Sequence, residues 1–394
     1  ILRGEIIAID LQTLTVMSDG PAVNIRIDDR VRLGSTPTIS PDESWLGRVV
    51  DPFGRPLDGK PLVQGEAAYP LDNGAPDAHR RAPLGDRLKT GLCAFNTLLP
   101  IVSGQRIGLF SGSGVGKSTL LGTLATSIDV DVTVVALIGE RGREVREFVD
   151  NTLGIEGMQN AIVVAATSDM SSLRRRNCAY AATAIAEAFR DQGKSVLLVM
   201  DSVTRFAEAH REVSTTGGEL PALRGYPAST AQKIMNLCER TGPGIADSGS
   251  ITAVYSVLVS GSDMDEPIAD ILRGVLDGHV VLDRSIAERG RFPAIDVLRS
   301  VSRALPQAAS GSENRMLIAT RRLLGAYQTA EPMIRAGLYV SGSDPLIDDA
   351  IKVFDALDNF LATTEGGQIQ DSFDKLSMIL RSTHMFKMMQ SAAN

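Results

Sequence analysis

The chain is poor in the residues that would staple it, anchor it or bind a metal. Its 394 residues include three cysteines, Cys93, Cys178 and Cys238, odd in number and far apart. That excludes a disulfide scaffold, and three reduced, buried thiols in a cytosolic protein are expected. The four histidines (His79, His210, His279, His384) stand at no metal-ligand spacing, so no zinc site is expected. No apolar run approaches the roughly 20 residues of a membrane span. No signal peptide opens the chain. Residue 1 is an isoleucine within strand-like sequence, so an earlier segment is expected to be missing. There is no excess of positive charge either: 40 Lys and Arg against 47 Asp and Glu give a net −7. This argues against a dedicated nucleic-acid binder and against a polybasic membrane anchor. Repeats and low-complexity tracts are missing too.

What remains is a soluble globular composition, 43% hydrophobic and 22% charged, with length for two or three domains. Residues 1–72 read as short strands and turns. Ile6-Ile7-Ala8-Ile9, Leu14-Thr15-Val16-Met17, Val23-Asn24-Ile25-Arg26-Ile27 and Val31-Arg32-Leu33 are β-type segments; Ser18-Asp19-Gly20-Pro21 and Asp51-Pro52-Phe53-Gly54 are turns. Their spacing predicts a small barrel or sandwich. A Pro- and Gly-rich stretch at 70–83 reads as a linker. From residue 106 the pattern changes. Continuous apolar runs at 106–110, 133–138, 161–166, 195–200 and 250–258 alternate with helical stretches such as 178–190. Strands buried on both faces look like this, so a parallel α/β sheet is predicted. Beyond residue 310 helical spacing returns at 316–324, 345–361 and 369–379. The expected division is residues 1–72 (small barrel or sandwich), 73–310 (parallel α/β domain) and 311–394 (helical domain).

Three motifs carry chemistry. Ser111-Gly112-Ser113-Gly114-Val115-Gly116-Lys117-Ser118-Thr119 lies between a strand and a helical stretch at 119–127, which is the context of a P-loop. Glycines let backbone amides approach phosphates, and the helix N-terminus adds positive potential. Lys117 would reach the β- and γ-phosphates and Ser118 would face Mg²⁺. Ser111 stands where the motif usually has its first glycine, which is tolerable if its φ is negative. Asp201 ends the strand at 195–200. There its carboxylate could hold Mg²⁺ or simply cap the next helix; beside a P-loop the Mg²⁺ role is favoured. Gly139-Glu140-Arg141-Gly142-Arg143-Glu144 follows the strand at 133–138. A carboxylate there can polarise an attacking water, although such charged loops are often only solvated surface. Nothing in the spacing assigns a role to Phe292-Pro293-Ala294-Ile295-Asp296 or to Ser300-Val301-Ser302-Arg303.

Together these segments resemble the catalytic subunits of rotary-type ATPases, and within them the export ATPases of flagellar and type III secretion systems. The resemblance covers nearly the whole chain. Its further markers are Asp51-Pro52-Phe53-Gly54-Arg55-Pro56-Leu57-Asp58-Gly59, Leu98-Leu99-Pro100-Ile101, Gly104-Gln105-Arg106, Asp201-Ser202-Val203-Thr204-Arg205-Phe206-Ala207 and Asp277-Gly278-His279. It implies a β-barrel, a RecA-like P-loop domain with a parallel sheet, and a helical domain. It also implies a homohexameric ring that binds ATP or ADP with Mg²⁺ at subunit interfaces. By similarity Glu140 activates the water, Arg141 lies near the phosphates, and Glu144 and Asp201 surround Mg²⁺. Phe292 matches an adenine-stacking position, and Arg303 an arginine finger reaching a neighbour's γ-phosphate.

The same resemblance implies partners: a central stalk protein, a stator or regulator, export substrates with their chaperones, and a membrane-embedded export gate. No nucleic acid is among them. It places the protein in the cytoplasm, peripheral to the inner membrane, with the family's first segment, which meets the stator, expected before Ile1. The acidic turn Gly261-Ser262-Asp263-Met264-Asp265-Glu266-Pro267 resembles the loop facing the ring's pore, and a solvated turn is the other reading. The glycine-rich stretch from Thr216 to Pro227 is expected to be another loop near the ring interior.

Gly342-Ser343-Asp344-Pro345 with Asp348 resembles the export branch, and the acidic lever of synthase β-subunits is missing. A flagellar ATPase is therefore the reading, with an injectisome ATPase as the alternative and a proton-coupled synthase subunit behind both. An RNA translocase would need aromatic stacking platforms, and residues 1–72 hold only Trp45, Phe53 and Tyr69. A non-catalytic ring subunit would lack Glu140.

Overall fold

The computed structural model describes residues 2–23, 25–259, 264–364 and 367–391. Thirteen strands are found among them: β1 (Gly4–Ile9), β2 (Leu14–Ser18), β3 (Thr38–Ile39), β4 (Arg48–Val50), β5 (Tyr69–Pro70), β6 (Arg106–Ser111), β7 (Val132–Glu140), β8 (Ala161–Thr167), β9 (Ser195–Asp201), β10 (Gly242–Pro243), β11 (Ser250–Leu258), β12 (Gly278–Leu282) and β13 (Ile295–Ser302).

The apolar runs of the middle region become the centre of one nine-stranded sheet in the order β13-β12-β6-β11-β9-β7-β8-β4, with β10 beside β11. Every neighbouring pair from β12 through β4 is parallel. Only β13 on β12 and β10 on β11 are antiparallel. Residues 133–139 and 196–201 are buried throughout, as strands covered on both faces must be. One face packs the helix Ser172–Asp191, rich in alanine and buried for most of its length. That helix stops before Gly193, whose φ of +83° ends it at no steric cost. The other face carries the helix Lys117–Ser127 in a second core cluster.

The predicted helical region consists, among the described residues, of Gly311–Arg335, Pro345–Ala362, Ile369–Leu380 and His384–Ser391. Its first helix opens with a reciprocal cap, Ser310 accepting from the Glu313 amide and Glu313 from the Ser310 amide. Tyr327 stacks on Phe354 at 3.6 Å, tying the first two helices together.

The N-terminal region is a small sheet region. β1 and β2 form an antiparallel pair and β3 pairs with β5, without a closed barrel among the described residues. β4, within the first 72 residues, joins the main sheet parallel to β8. The strands expected at 23–27 and 31–33 do not form in the described residues. Val23, Ile25, Ile27, Val31 and Leu33 are 56–93% exposed, and an apolar strand needs a partner and a covered face to persist. Besides the short strands β3, β4, β5 and β10, two longer ones were not expected. β12 lies beside the P-loop strand and β13 beyond it, and their sequences, broken by Gly278 and by polar residues, hold no continuous apolar run of strand length. The three cysteines are free and buried, and burial pushes the Cys238 thiol up to about 12. No helix among the described residues is long and apolar enough to cross a membrane.

Candidate active site at the C-terminal edge of the sheet

Parallel strands end together, and here three functional segments end at one edge. β6 runs into the P-loop, β9 ends at Asp201 and β7 at Glu140, with β11 between β6 and β9. Ser111 is the last residue of β6, in register with Leu258 and Leu282. Its backbone is extended, so a side chain is tolerated where glycine is usual, and its buried hydroxyl has no partner among the described residues. Gly114 and Gly116 take φ of +77° and +85°, values that need glycine. Val115 is buried and anchors the turn. The helix starts at Lys117, so the amides of Lys117, Ser118 and Thr119 have no intrahelical acceptor and face the loop. Ser118 and Thr119 are exposed.

Lys117 Nζ forms an ion pair with Asp201 Oδ1, and both side chains are largely buried. Ser256 Oγ, from β11, donates to the same oxygen at 2.6 Å. Helix capping is done by the next residue: Ser202 Oγ accepts from the Arg205 amide. Asp201 therefore has no capping duty and its carboxylate turns to the P-loop lysine. Ser256 is a site residue that the motifs did not flag. The signal was there, a hydroxyl in the last three residues of β11, the strand that lies between the P-loop strand and the Asp201 strand.

Glu140 lies two strands from the P-loop strand's neighbour. Burial, with the nearby Asp201 charge, pushes its carboxyl up to about 7. Glu144, beside it, has its own carboxyl held below the usual range, first by a hydrogen bond with Glu140. Glu144 sits at the third position of the short helix Gly142–Glu147. Arg141 is 77% exposed and pairs loosely with Glu144 at 3.7 Å. Gly139, with φ of +69°, packs against the Arg205 side chain, a contact the sequence did not suggest.

Phe292 reaches the same place from far along the chain. A side chain on Gly116 would meet its ring at 3.2 Å, and 51% of Phe292 is exposed. An aromatic face is thus presented beside the phosphate loop. Arg303 is different. It follows Ser302, which is in register with Gly278 at the start of β12, while the P-loop follows Ser111 at the far end of β6. The six residues of β6 amount to about 17 Å, more than an arginine side chain spans. The structure brings together Lys117, Ser118, Glu140, Glu144, Asp201 and Phe292, and leaves Arg303 at the opposite edge. Of the acidic turn, Gly261, Ser262 and Asp263 lie outside the described residues, as does Asn24; the rest leads into the helix Pro267–Val275.

Residues 91–302 match the ATP synthase alpha/beta family, nucleotide-binding domain, and residues 310–377 match the T3SS EscN ATPase C-terminal domain. The flagellum-specific ATP synthase of Caulobacter vibrioides is 48% identical over 93% of this chain and 83% of its own length. The type 3 secretion system ATPase of Xanthomonas euvesicatoria is 42% identical, over 91% and 81%. Among solved structures, the assembled ATPase EscN from the enteropathogenic E. coli type III secretion system superposes with a TM-score of 0.91 at 37% identity, covering 96% of this chain and 92% of that one. The same ATPase in complex with its central stalk EscO gives 0.88. With the P-loop edge assembled in this way and likeness extending through the helical region, the chain belongs to the ATP synthase alpha/beta family, in the branch of the flagellar and type III secretion ATPases.

Proposed function

We propose that this chain is the ATP-hydrolysing subunit of a flagellar protein-export apparatus, working as a homohexameric ring. The observation that carries the reading is the Lys117–Asp201 pair beside a Glu140 carboxyl of raised proton affinity, all at the edge where the P-loop opens. The loop from Gly112 through Ser113, Gly114, Val115 and Gly116 to Thr119 cradles the phosphates of ATP with its amides. Lys117 exchanges its carboxylate partner for the β- and γ-phosphates. Lys117 and Ser256 both use Oδ1 of Asp201, so Oδ2 and the Ser118 hydroxyl fit the shell of a Mg²⁺ ion, with Glu144 near. Bound there with ATP, Mg²⁺ neutralises charge on the phosphates.

Glu140 takes a proton from water as the water oxygen bonds to the γ-phosphorus and ADP leaves. Arg141 approaches from the solvent side, and Phe292 stacks on the base. Arg303 stands too far from its own P-loop to help there, which supports its acting in a neighbouring copy's site. A finger supplied in trans offsets charge in the transition state and ties turnover to assembly. The division 1–72, 73–310 and 311–394 belongs to this reading. So do a central stalk, a stator or regulator, export substrates with chaperones, an export gate in the membrane and a cytoplasmic location at its inner face. An injectisome ATPase is the second reading, favoured by the match of residues 310–377.

The test is Mg-ATPase activity per subunit over a wide range of protein concentration, with sizing at each end. Specific activity is expected to climb as rings form. A monomer with full activity would overturn the shared site.

A further inference from the structure

Two segments take no part in the P-loop edge, Gly104-Gln105-Arg106 and Asp277-Gly278-His279. They meet at the other end of the P-loop strand, and Asp277 is bound there from every side. Its amide donates to the Arg106 carbonyl at 2.8 Å. Its carboxylate accepts from the Arg106 amide at 3.0 Å, from Nε at 3.1 Å and from Nη2 at 3.2 Å. Its carbonyl oxygen accepts twice, from Gln105 Nε2 at 3.1 Å and from the Arg303 amide at 2.9 Å.

Gln105 is fully buried. Its Nε2 also donates to Ser302 Oγ at 3.1 Å, and its Oε1 accepts from the Val102 amide at 2.9 Å. Ser302 Oγ in turn donates to the Pro100 carbonyl at 2.6 Å. The backbone on which Arg303 is rooted is therefore fastened to the first two residues around β6. Beyond that root the side chain is exposed, and among the described residues it is held by Nη2 donating to the Arg273 carbonyl at 3.1 Å.

A long side chain is as well aimed as its root. A charge that must meet a transferring phosphoryl group loses much of its effect when displaced by about 1 Å. A root tied to Asp277 and to a buried side-chain amide that donates twice, with Asp277 itself held by a bidentate bond to Arg106, does not drift. We propose that Gln105 and Asp277 are positioning residues for Arg303: they fix the backbone from which its guanidinium enters a neighbouring copy's site. This rests on the role given to Arg303 above. They fix that backbone to the strand that carries the copy's own P-loop, so β6 is a strut with one site's phosphate loop at one end and the next site's finger at the other.

Gln105→Met keeps the bulk and removes the donors. Asp277→Asn keeps the shape and the carbonyl and weakens the hold on Arg106. Neither alters the variant's own P-loop. Turnover is expected to fall about ten- to a hundredfold with the KM for ATP unchanged within about twofold. Each is then mixed with Lys117→Ala subunits, whose P-loop is disabled and whose Arg303 segment is intact; Arg303→Ala mixed with Lys117→Ala is the reference. In mixed rings an intact finger faces an intact P-loop, so activity is expected to return for all three mixtures. Return in the reference, but for neither Gln105→Met nor Asp277→Asn while both melt as the parent does, overturns the positioning role alone. No return in the reference overturns the finger in trans, and the positioning role with it. A raised KM in place of lost turnover places the damage in the variant's own site and also overturns it. If Gln105→Met fails to fold, Asp277→Asn carries the test.

Discussion

Among the carboxyls of the active edge, Glu140 is the one held furthest above its ordinary range. Its carboxyl is pushed from 4.5 up to about 7 by burial and by the Asp201 charge. A base with that proton affinity is matched to neutral operating pH. Glu140→Gln is expected to abolish steady-state hydrolysis while ATP still binds, read by turnover and by nucleotide titration. The same shift has a stability consequence. Between pH 4.5 and about 7 the folded chain holds a proton that the unfolded chain has released. Stability from this group is therefore full at low pH and is lost as pH rises through the window. Gln cannot titrate, so thermal melts of Glu140→Gln and parent should diverge in the variant's favour as pH rises from 4.5 to about 7. Equal pH slopes would mean that Glu140 is ordinary.

At the scale of elements, the buried Glu187–Arg240 pair joins three parts of the fold. Arg240 donates to Glu187 at 2.9 and 2.7 Å, and both side chains are at most 2% exposed. Its Nη1 also donates to the Leu71 carbonyl at 2.7 Å, which fastens the start of the 70–83 segment to the sheet's helical layer. Breaking such a pair leaves one charge buried alone. Arg240→Met should cost about 3–5 kcal/mol in urea unfolding, and adding Glu187→Gln should cost less than the sum of the single changes. An additive double variant would mean that the pair is not coupled.

At the scale of the whole molecule, the active edge lacks a cation that its own chain holds elsewhere. Arg303 lies across the sheet from Lys117, and in the proposed reading another copy supplies it to the site. Arg303→Ala should lower turnover by about 10³-fold or more, as fingers do, with ATP affinity nearly unchanged. Lost affinity with turnover retained would give Arg303 a binding role instead.

Much of this was legible in the linear chain. The five apolar runs became β6, β7, β8, β9 and β11 because strands buried on both faces leave no room for polar alternation. The P-loop announced itself because phosphate binding needs glycines and a lysine at fixed local spacing, and Asp201 and Glu140 because each closes such a run. The rest was not local. β12 and β13 escaped notice because their burial comes from neighbours rather than from an unbroken apolar run. The strands expected at 23–27 and 31–33 failed for the converse reason, an apolar pattern with nothing to pair against. Ser256 on Asp201, Phe292 against Gly116 and the clasp of Gln105 and Asp277 behind Arg303 join residues 55 to 197 positions apart. The sequence by itself determined the chemistry that could occur at the sheet edge, because motif, strand and helix start are contiguous. Only the tertiary structure decided which side chains meet there and that Arg303 does not, because strand order and register are settled by packing between distant segments.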